Sequence, residues 1–377
     1  MAVKVRHPNV EEQIGIDFII MKAVASIIER APGCGWLKLS ETMSQFSATI
    51  ASQTDLGVEG RHLHLFNHYF KAWKSVSFPK PLILTNSVLV ESFEVGDSVD
   101  KYSKTISCGT TASSSSSCTE NNRRWSQNGF TDAEALSESI RQCNIAHFIV
   151  TAGEDTYLKM LLQDNLMHAD LHPGNILIQQ YYTDTKEVLA PKKKTSMADE
   201  LTLGQQSASS SSHSSLSTRI VLVDAGMVAR LLPTEQKNFI GLLEAMGEGR
   251  GDEAADYVMR FTSNPVYDRA TRTAFRIDMK ELFKKDCRGY GYNVNIGIAL
   301  RGILNIIRIH QITIDANYAT LVMNILCLDS MANLLLPSYN ILDGAKPLLR
   351  FNRIFKRVPG KSLTFPLTSL QLPVGAI

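Results

Sequence analysis

The chain has 377 residues, with 39 Lys plus Arg against 37 Asp plus Glu and a formal net charge of +2. That is long enough to bury one or two cores, and it gives no global charge that would draw nucleic acid. The six cysteines, at 34, 108, 118, 143, 287 and 327, form no C-x-x-C pair, which argues against a zinc or disulfide scaffold and for a reducing compartment. The most apolar stretch, Ala319 to Leu336, is interrupted by Asn324, Asp329 and Asn333, so it reads as a buried helix rather than a membrane span.

Met1-Ala2-Val3-Lys4-Val5 is a strand pattern ended by Pro8, with no signal or transit peptide before it. Ile16, Ile19, Ile20, Ala23, Val24, Ile27 and Ile28 then recur at helical spacing until Ala31-Pro32-Gly33 stops the helix. A second helix is predicted around Met43, Phe46 and Ile50, and a third around Glu59, Leu63, Phe66 and Phe70. Past Pro79 and Pro81, Leu82-Ile83-Leu84 and Val88-Leu89-Val90 predict a hairpin about Asn86-Ser87, and Glu91 to Gly96 a connector.

Residues 103–130 are rich in Ser, Thr and Asn and read as a disordered insert. Thr131-Asp132-Ala133-Glu134 is a capping-box pattern opening a long helix toward Leu162. Residues 183–218, with Lys192 to Lys194 and a Ser run, form a second low-complexity insert. Pro233 opens a helix whose apolar face is Phe239, Leu242, Leu243 and Met246. The chain stays helical by pattern to about Leu349 and then turns irregular.

Two short blocks carry chemistry. In His168-Ala169-Asp170-Leu171-His172-Pro173-Gly174-Asn175, an Asp and an Asn lie five apart across a Pro-Gly turn. Phosphoryl transfer needs a carboxylate that accepts or orients a hydroxyl proton and an amide oxygen that holds a metal ion. Ile220-Val221-Leu222-Val223-Asp224-Ala225-Gly226 is an apolar strand ending in Asp-x-Gly, which supplies a second metal ligand.

Taken jointly, AVKVRHPNV, QTDLGVEG, HADLHPGNILI and VLVDAGMVARL resemble the UbiB/AarF-domain-containing atypical kinases, and within them the second AarF-domain-containing kinase subgroup. The resemblance implies an α+β, protein-kinase-like two-lobed fold. Residues 1–96 would form an incomplete small N-lobe of few strands plus helices. Residues 97–350 would form a large, mainly helical C-lobe containing both inserts, and 351–377 an irregular tail. It makes Lys4 the lysine that contacts the α- and β-phosphates, Glu59 the helix glutamate that orients it, and Asp170 the catalytic aspartate. Asn175 and Asp224 become the magnesium ligands. ATP and Mg2+ are the implied cofactors, and a kinase or ATPase the implied activity. Coenzyme Q biosynthesis or lipid homeostasis is the implied role, in mitochondria or, alternatively, plastids. Nucleotide, coenzyme Q biosynthetic proteins and a lipid or membrane surface are the implied partners, and nucleic acid is not one.

The chain departs from the family pattern in places. The Lys-x-Gly-Gln extension and the Ala-rich nucleotide loop, which precede the lysine strand, are absent, so an N-terminal truncation is expected. The Glu-x-Asp appears as Gln53-Thr54-Asp55, and Gly60 stands where Ala is usual.

Other readings of the same residues stand beside these. His168, Asp170 and His172 on a strand would share a face and form a metal cluster. Asp170 and Asn175 could be turn formers, and Lys4 an edge-strand lysine. Gly247-Glu248-Gly249-Arg250-Gly251 is taken as a helix end rather than a phosphate cradle. Lys346, Arg350, Phe351, Arg353, Ile354, Phe355, Lys356 and Arg357 mix basic and apolar residues, as a core-docking helix end or a membrane-surface segment would. At the level of function, the alternatives are a small-molecule phosphotransferase of the same fold and a catalytically impaired pseudokinase or scaffold.

Overall fold

Short apolar strands cannot cover their own faces, and here helices are laid against them. The computed structural model describes residues 1–31, 39–99, 101–102, 132–183, 215–261, 267–337 and 339–355. Those residues hold three small sheets and ten α-helices, an α+β architecture.

The first sheet has the order β1-β4-β3 and is antiparallel throughout, from β1 (Ala2–Val5), β4 (Val88–Glu91) and β3 (Pro81–Leu84). Between β1 and the rest of that sheet the chain makes α1 (Val10–Glu29), α2 (Leu39–Gln53) and α3 (Leu56–Tyr69). Asp55 starts α3 as its N-cap, accepting from Gly57 N–H at 2.9 Å. Leu63 and Phe66 on α3 are fully buried, and Phe66 stacks on Phe78 with ring centroids 4.8 Å apart. Burying side chains of that size is worth about 1.5–3 kcal/mol each, so α3 is anchored firmly beneath the sheet.

The second sheet, β2-β8-β7-β5, joins β2 (Val76–Ser77) and β5 (Asp97–Ser98) to a long hairpin of β7 (Ile176–Thr183) and β8 (Ser215–Leu222). The hairpin runs in register from Ile176 opposite Leu222 to Thr183 opposite Ser215. Strand residues therefore enter the expected 183–218 insert at both ends. The remainder of that insert, with Lys192 to Lys194, and all of 103–130, with Cys108 and Cys118, lie outside the described residues. A third pairing joins β6 (Met167–His168) to β9 (Val228–Ala229).

The rest is helical: α4 (Asp132–Lys159), α5 (Pro233–Gly247), α6 (Gly251–Val258), α7 (Arg269–Asp286), α8 (Ile296–Ile309), α9 (Ala316–Leu335) and α10 (Ile341–Phe355). Side-chain caps from Asp268 and Asn295 start α7 and α8. By length and composition α9 is a helix that could cross a membrane, yet Leu321, Val322, Ile325 and Leu335 are buried in the protein. The sequence left 351–377 irregular; the structure carries α10 through Phe355, with Leu342, Ala345 and Leu349 buried. Arg353 reaches Glu248 at 2.8 Å, so this segment docks on the core.

Candidate active site

Strand β1 presents Lys4 on the face it shares with β4. The cross-strand partner of Lys4 is Leu89 and that of Ala2 is Glu91, so Lys4 and Glu91 are diagonal neighbours. The ammonium lies 3.6 Å from Glu91 Oε1 and closes a shorter ion pair with Glu59 Oε1. Burial alone would lower the Lys4 pKa, but the bond to Glu59 and the fields of Glu59, Glu91 and Asp224 reverse this, and the net shift is upward. Burial pushes Glu59 up; Lys4 opposes it and Asp224 reinforces it. Glu91 follows the same pattern, with Glu59 adding to the rise. One ammonium thus shares a site with three carboxyl groups, an imbalance that favours a further cation.

The sequence reading placed Glu91 in a connector. Instead it ends β4, on the same face as buried Leu89, with only 4 % of its surface exposed. The two-residue alternation of Val88-Leu89-Val90-Glu91 carried that signal. His62, also passed over, sits one turn beyond Glu59 on α3, and its Nδ1 lies 3.0 Å from the Ala225 carbonyl. Burial keeps its imidazole toward the neutral form. So α3 touches both Lys4 and the Asp-Ala-Gly loop.

That loop is itself bent. Asp224 has φ +62°, in the left-handed region that Asp tolerates because its side chain bonds locally. Its Oδ1 accepts from Gly226 N–H at 3.2 Å. Just before it, Val223 N–H donates to the Asn175 carbonyl at 3.0 Å, which brings the backbones of the two expected metal ligands side by side. Asn175 is buried, and its Nδ2 donates to the Asp170 carbonyl at 3.1 Å and to Asp170 Oδ2 at 3.2 Å. With its amide hydrogens committed, its Oδ1 is the atom left for a ligand. The Asp170 side chain is 42% exposed, open to what enters the cleft.

His168 braces the loop from below. It is fully buried, its Nδ1 accepts from Asp170 N–H at 3.3 Å, and burial holds it neutral. Its carbonyl receives Asn324 Nδ2 from the middle of α9 at 3.0 Å, which explains a buried Asn in an apolar helix. A π-helical turn, Met160–Asp164, follows α4 and ends at Asn165, which exchanges hydrogen bonds with Leu231 N–H and C=O at 3.2 and 2.8 Å. The metal-cluster reading of His168, Asp170 and His172 does not hold: β6 stops at His168, His168 is buried, and the His172 side chain is 48% exposed. Among the described residues no group of three His, Cys, Asp or Glu is placed to hold a metal. Asp224 and Asn175 still fit a hard cation that takes its remaining oxygen ligands from phosphates and water.

The sequence profile of the ABC1 atypical kinase-like domain matches residues 1–257. The chain belongs to that family. Among its relatives, the probable serine/threonine-protein kinase abkC of Dictyostelium discoideum is 28% identical over 94% of this chain and 51% of its own length. A mitochondrial ABC1 family protein of Schizosaccharomyces pombe is 26% identical over 100% of this chain and 50% of its own length. One from Saccharomyces cerevisiae is 27% identical over 93% and 50%. The chain therefore spans about half the length of these ABC1 relatives. The probable protein kinase UbiB of Xylella fastidiosa is 22% identical over 47% of the chain. A Mycobacterium tuberculosis protein solved in complex with erythromycin is similar at TM-score 0.43 and 14% identity, covering 88% of this chain and 67% of that one.

Proposed function

We propose that this ABC1 domain binds a magnesium nucleotide between Lys4 and the 170–175 and 224–226 loops, and acts as a kinase or ATPase. The observation that carries the reading is the gathering of Lys4, Glu59 and Asp224 in one electrostatic cluster beside the Asp170–Asn175 turn. Lys4, held by Glu59, would contact the α- and β-phosphates. Asn175 and Asp224 would hold magnesium, which when bound neutralises charge on the phosphates. Asp170, exposed and steadied by Asn175 Nδ2, would accept the proton of an incoming hydroxyl or orient a water. His168 and His62 would position the two loops without touching the nucleotide.

Resemblance to the second AarF-domain-containing kinase subgroup and to UbiB supports a role in coenzyme Q biosynthesis or lipid homeostasis. The mitochondrial names of two ABC1 relatives support a mitochondrial location. The test is turnover of labelled ATP with and without magnesium, in the presence of a panel of hydroxyl acceptors. Water as the acceptor gives an ATPase, a protein a kinase, and a small alcohol a small-molecule phosphotransferase. Activity unchanged by Asp170→Asn would remove the assigned base.

A further inference from the structure

The helix α1 is built the wrong way round for a helix serving only its own fold. At 100° per residue its side chains divide into two stripes. One stripe holds Phe18 and Ala25, both buried, with Phe18 meeting Phe46 of α2 edge-on at 5.7 Å. The other is broader and more apolar, and it faces out: Ile16 is 58% exposed, Ile19 70%, Ile20 56%, Val24 50% and Ile27 67%. None of α1 belongs to the main buried cluster, whose described members begin at Leu63. Five exposed branched aliphatics on one face of one helix are a patch that monomers rarely leave to water.

The occupant can be read from the pattern on the stripe. Ile16, Ile20, Ala23 and Ile27 step by four, three and four residues, the seam of two packed helices. Glu12 and Arg30 stand at opposite ends of this seam, both exposed, and the same 100° rule puts them on the same edge of it. Neither is in an ion pair with another described residue. Place a second α1 antiparallel about a two-fold axis, centred between Met21 and Lys22. Ile16 then meets the partner's Ile27, Ile20 meets the small Ala23, and Glu12 comes within one residue of the level of Arg30, about 1.5 Å along the axis and within reach of its long side chain, twice over. A two-fold interface must be complementary to itself, and this one is in shape and in charge. The stripe suits a lipid surface poorly, since its N-terminal turns carry Glu11, Glu12 and Asp17.

We propose that α1 is a homodimer interface, pairing antiparallel with α1 of a second copy of this chain. Because α1 lies between the strand bearing Lys4 and the helix bearing Glu59, the pairing would also brace the segment that joins them. With one helix per subunit the dimer should be weak, dissociating on the order of micromolar.

The test is sedimentation equilibrium of the full chain. Wild type should dimerise, and Ile20→Asp, at an exposed site that leaves the fold intact by circular dichroism, should be monomeric. Glu12→Arg and Arg30→Glu should each weaken self-association tenfold or more, since each sets like charges opposite at both ends. Mixed together, those two variants should pair with each other, because the two basic ends of one then face the two acidic ends of the other. Wild type that stays monomeric at 100-fold above the expected constant overturns the proposal. So does dimerisation indifferent to Ile20→Asp, failure of the mixed charge variants to pair, or monomers that float with phosphatidylcholine vesicles through this face.

Discussion

Glu59 and Glu154 are both buried helical acids raised by desolvation, yet their surroundings differ in kind. Glu59 meets a lysine, with Glu91 and Asp224 close enough to shift it. Glu154, on α4, has the Tyr339 hydroxyl as its hydrogen-bond donor among the described residues, and burial, with a smaller push from Asp155, raises it to about 8, among apolar side chains that include Leu243, Ile325, Leu328 and Leu342. At neutral pH Glu154 is an uncharged acid that finishes the packing of α4 against α10. The Glu59 cluster contains a cation, Lys4, and holds more carboxyl groups than cations. Burial alone therefore does not mark a functional acid; an unbalanced set of charges facing a cleft does.

The harshest way to break this contrast is to remove the lysine. Lys4→Ala leaves Glu59, Glu91 and Asp224 facing one another, and should weaken magnesium-nucleotide binding at least tenfold in calorimetric titration. It should also cost about 1–3 kcal/mol of stability at neutral pH, below the value for a fully buried pair because Lys4 is part-exposed. As pH falls toward the raised pKa values of Glu59 and Glu91, protonation of these two relieves the repulsion, so the variant should recover stability relative to wild type.

Next is Glu154→Gln. The carboxyl pKa rises from 4.5 to about 8 on folding, so the folded chain holds a proton that the unfolded chain releases between those values. Wild-type stability then falls as pH climbs through that window. The amide has no proton to give up, so the variant should be more stable than wild type above pH 8, on the order of 2–4 kcal/mol, and level with it near pH 4. Thermal melts across pH read this directly, and nucleotide binding should not change.

Tyr339→Phe deprives Glu154 of its donor and should cost about 1–2 kcal/mol, with no effect on the Lys4 site. The smallest expected effect is Gly60→Ala. A methyl there would overlap Leu84 Cδ2 and lie 3.1 Å from Leu84 Cγ, but Leu84 is a part-exposed side chain that can turn away. The gain in helix propensity offsets that movement, so the melting point should shift by less than the equivalent of about 1 kcal/mol.

Much of this was legible in the residues. Strand β1, the β3–β4 hairpin, the end of β8, the three N-terminal helices and the buried helix α9 follow from spacing and from Gly and Pro positions, whereas the two-residue strands β2, β5, β6 and β9 are too short to leave a pattern. Asn324 and Asp329 argued against a membrane span because isolated polar groups are costly in lipid, and Asn324 turned out to hold the His168 carbonyl. The pairing of Lys4 with Glu59 across 55 residues came from family resemblance, since no local pattern encodes a long-range contact. Glu91 was readable from strand alternation and was missed. Two features were not readable. Periodicity shows that α1 has an apolar stripe but not which way the helix turns it. The acidity of Glu154 depends on a cavity assembled from several distant helices.

The central claim is that Lys4, Glu59, Asp170, Asn175 and Asp224 serve one magnesium-bound nucleotide. The most direct measurement is the melting temperature of the chain with ATP, with and without magnesium, beside Asp224→Ala and the distant control Asp343→Ala. The account predicts a magnesium-dependent rise for wild type and the control, lost in Asp224→Ala while its ligand-free melt stays near wild type. An equal rise in Asp224→Ala, or a rise indifferent to magnesium, would contradict it.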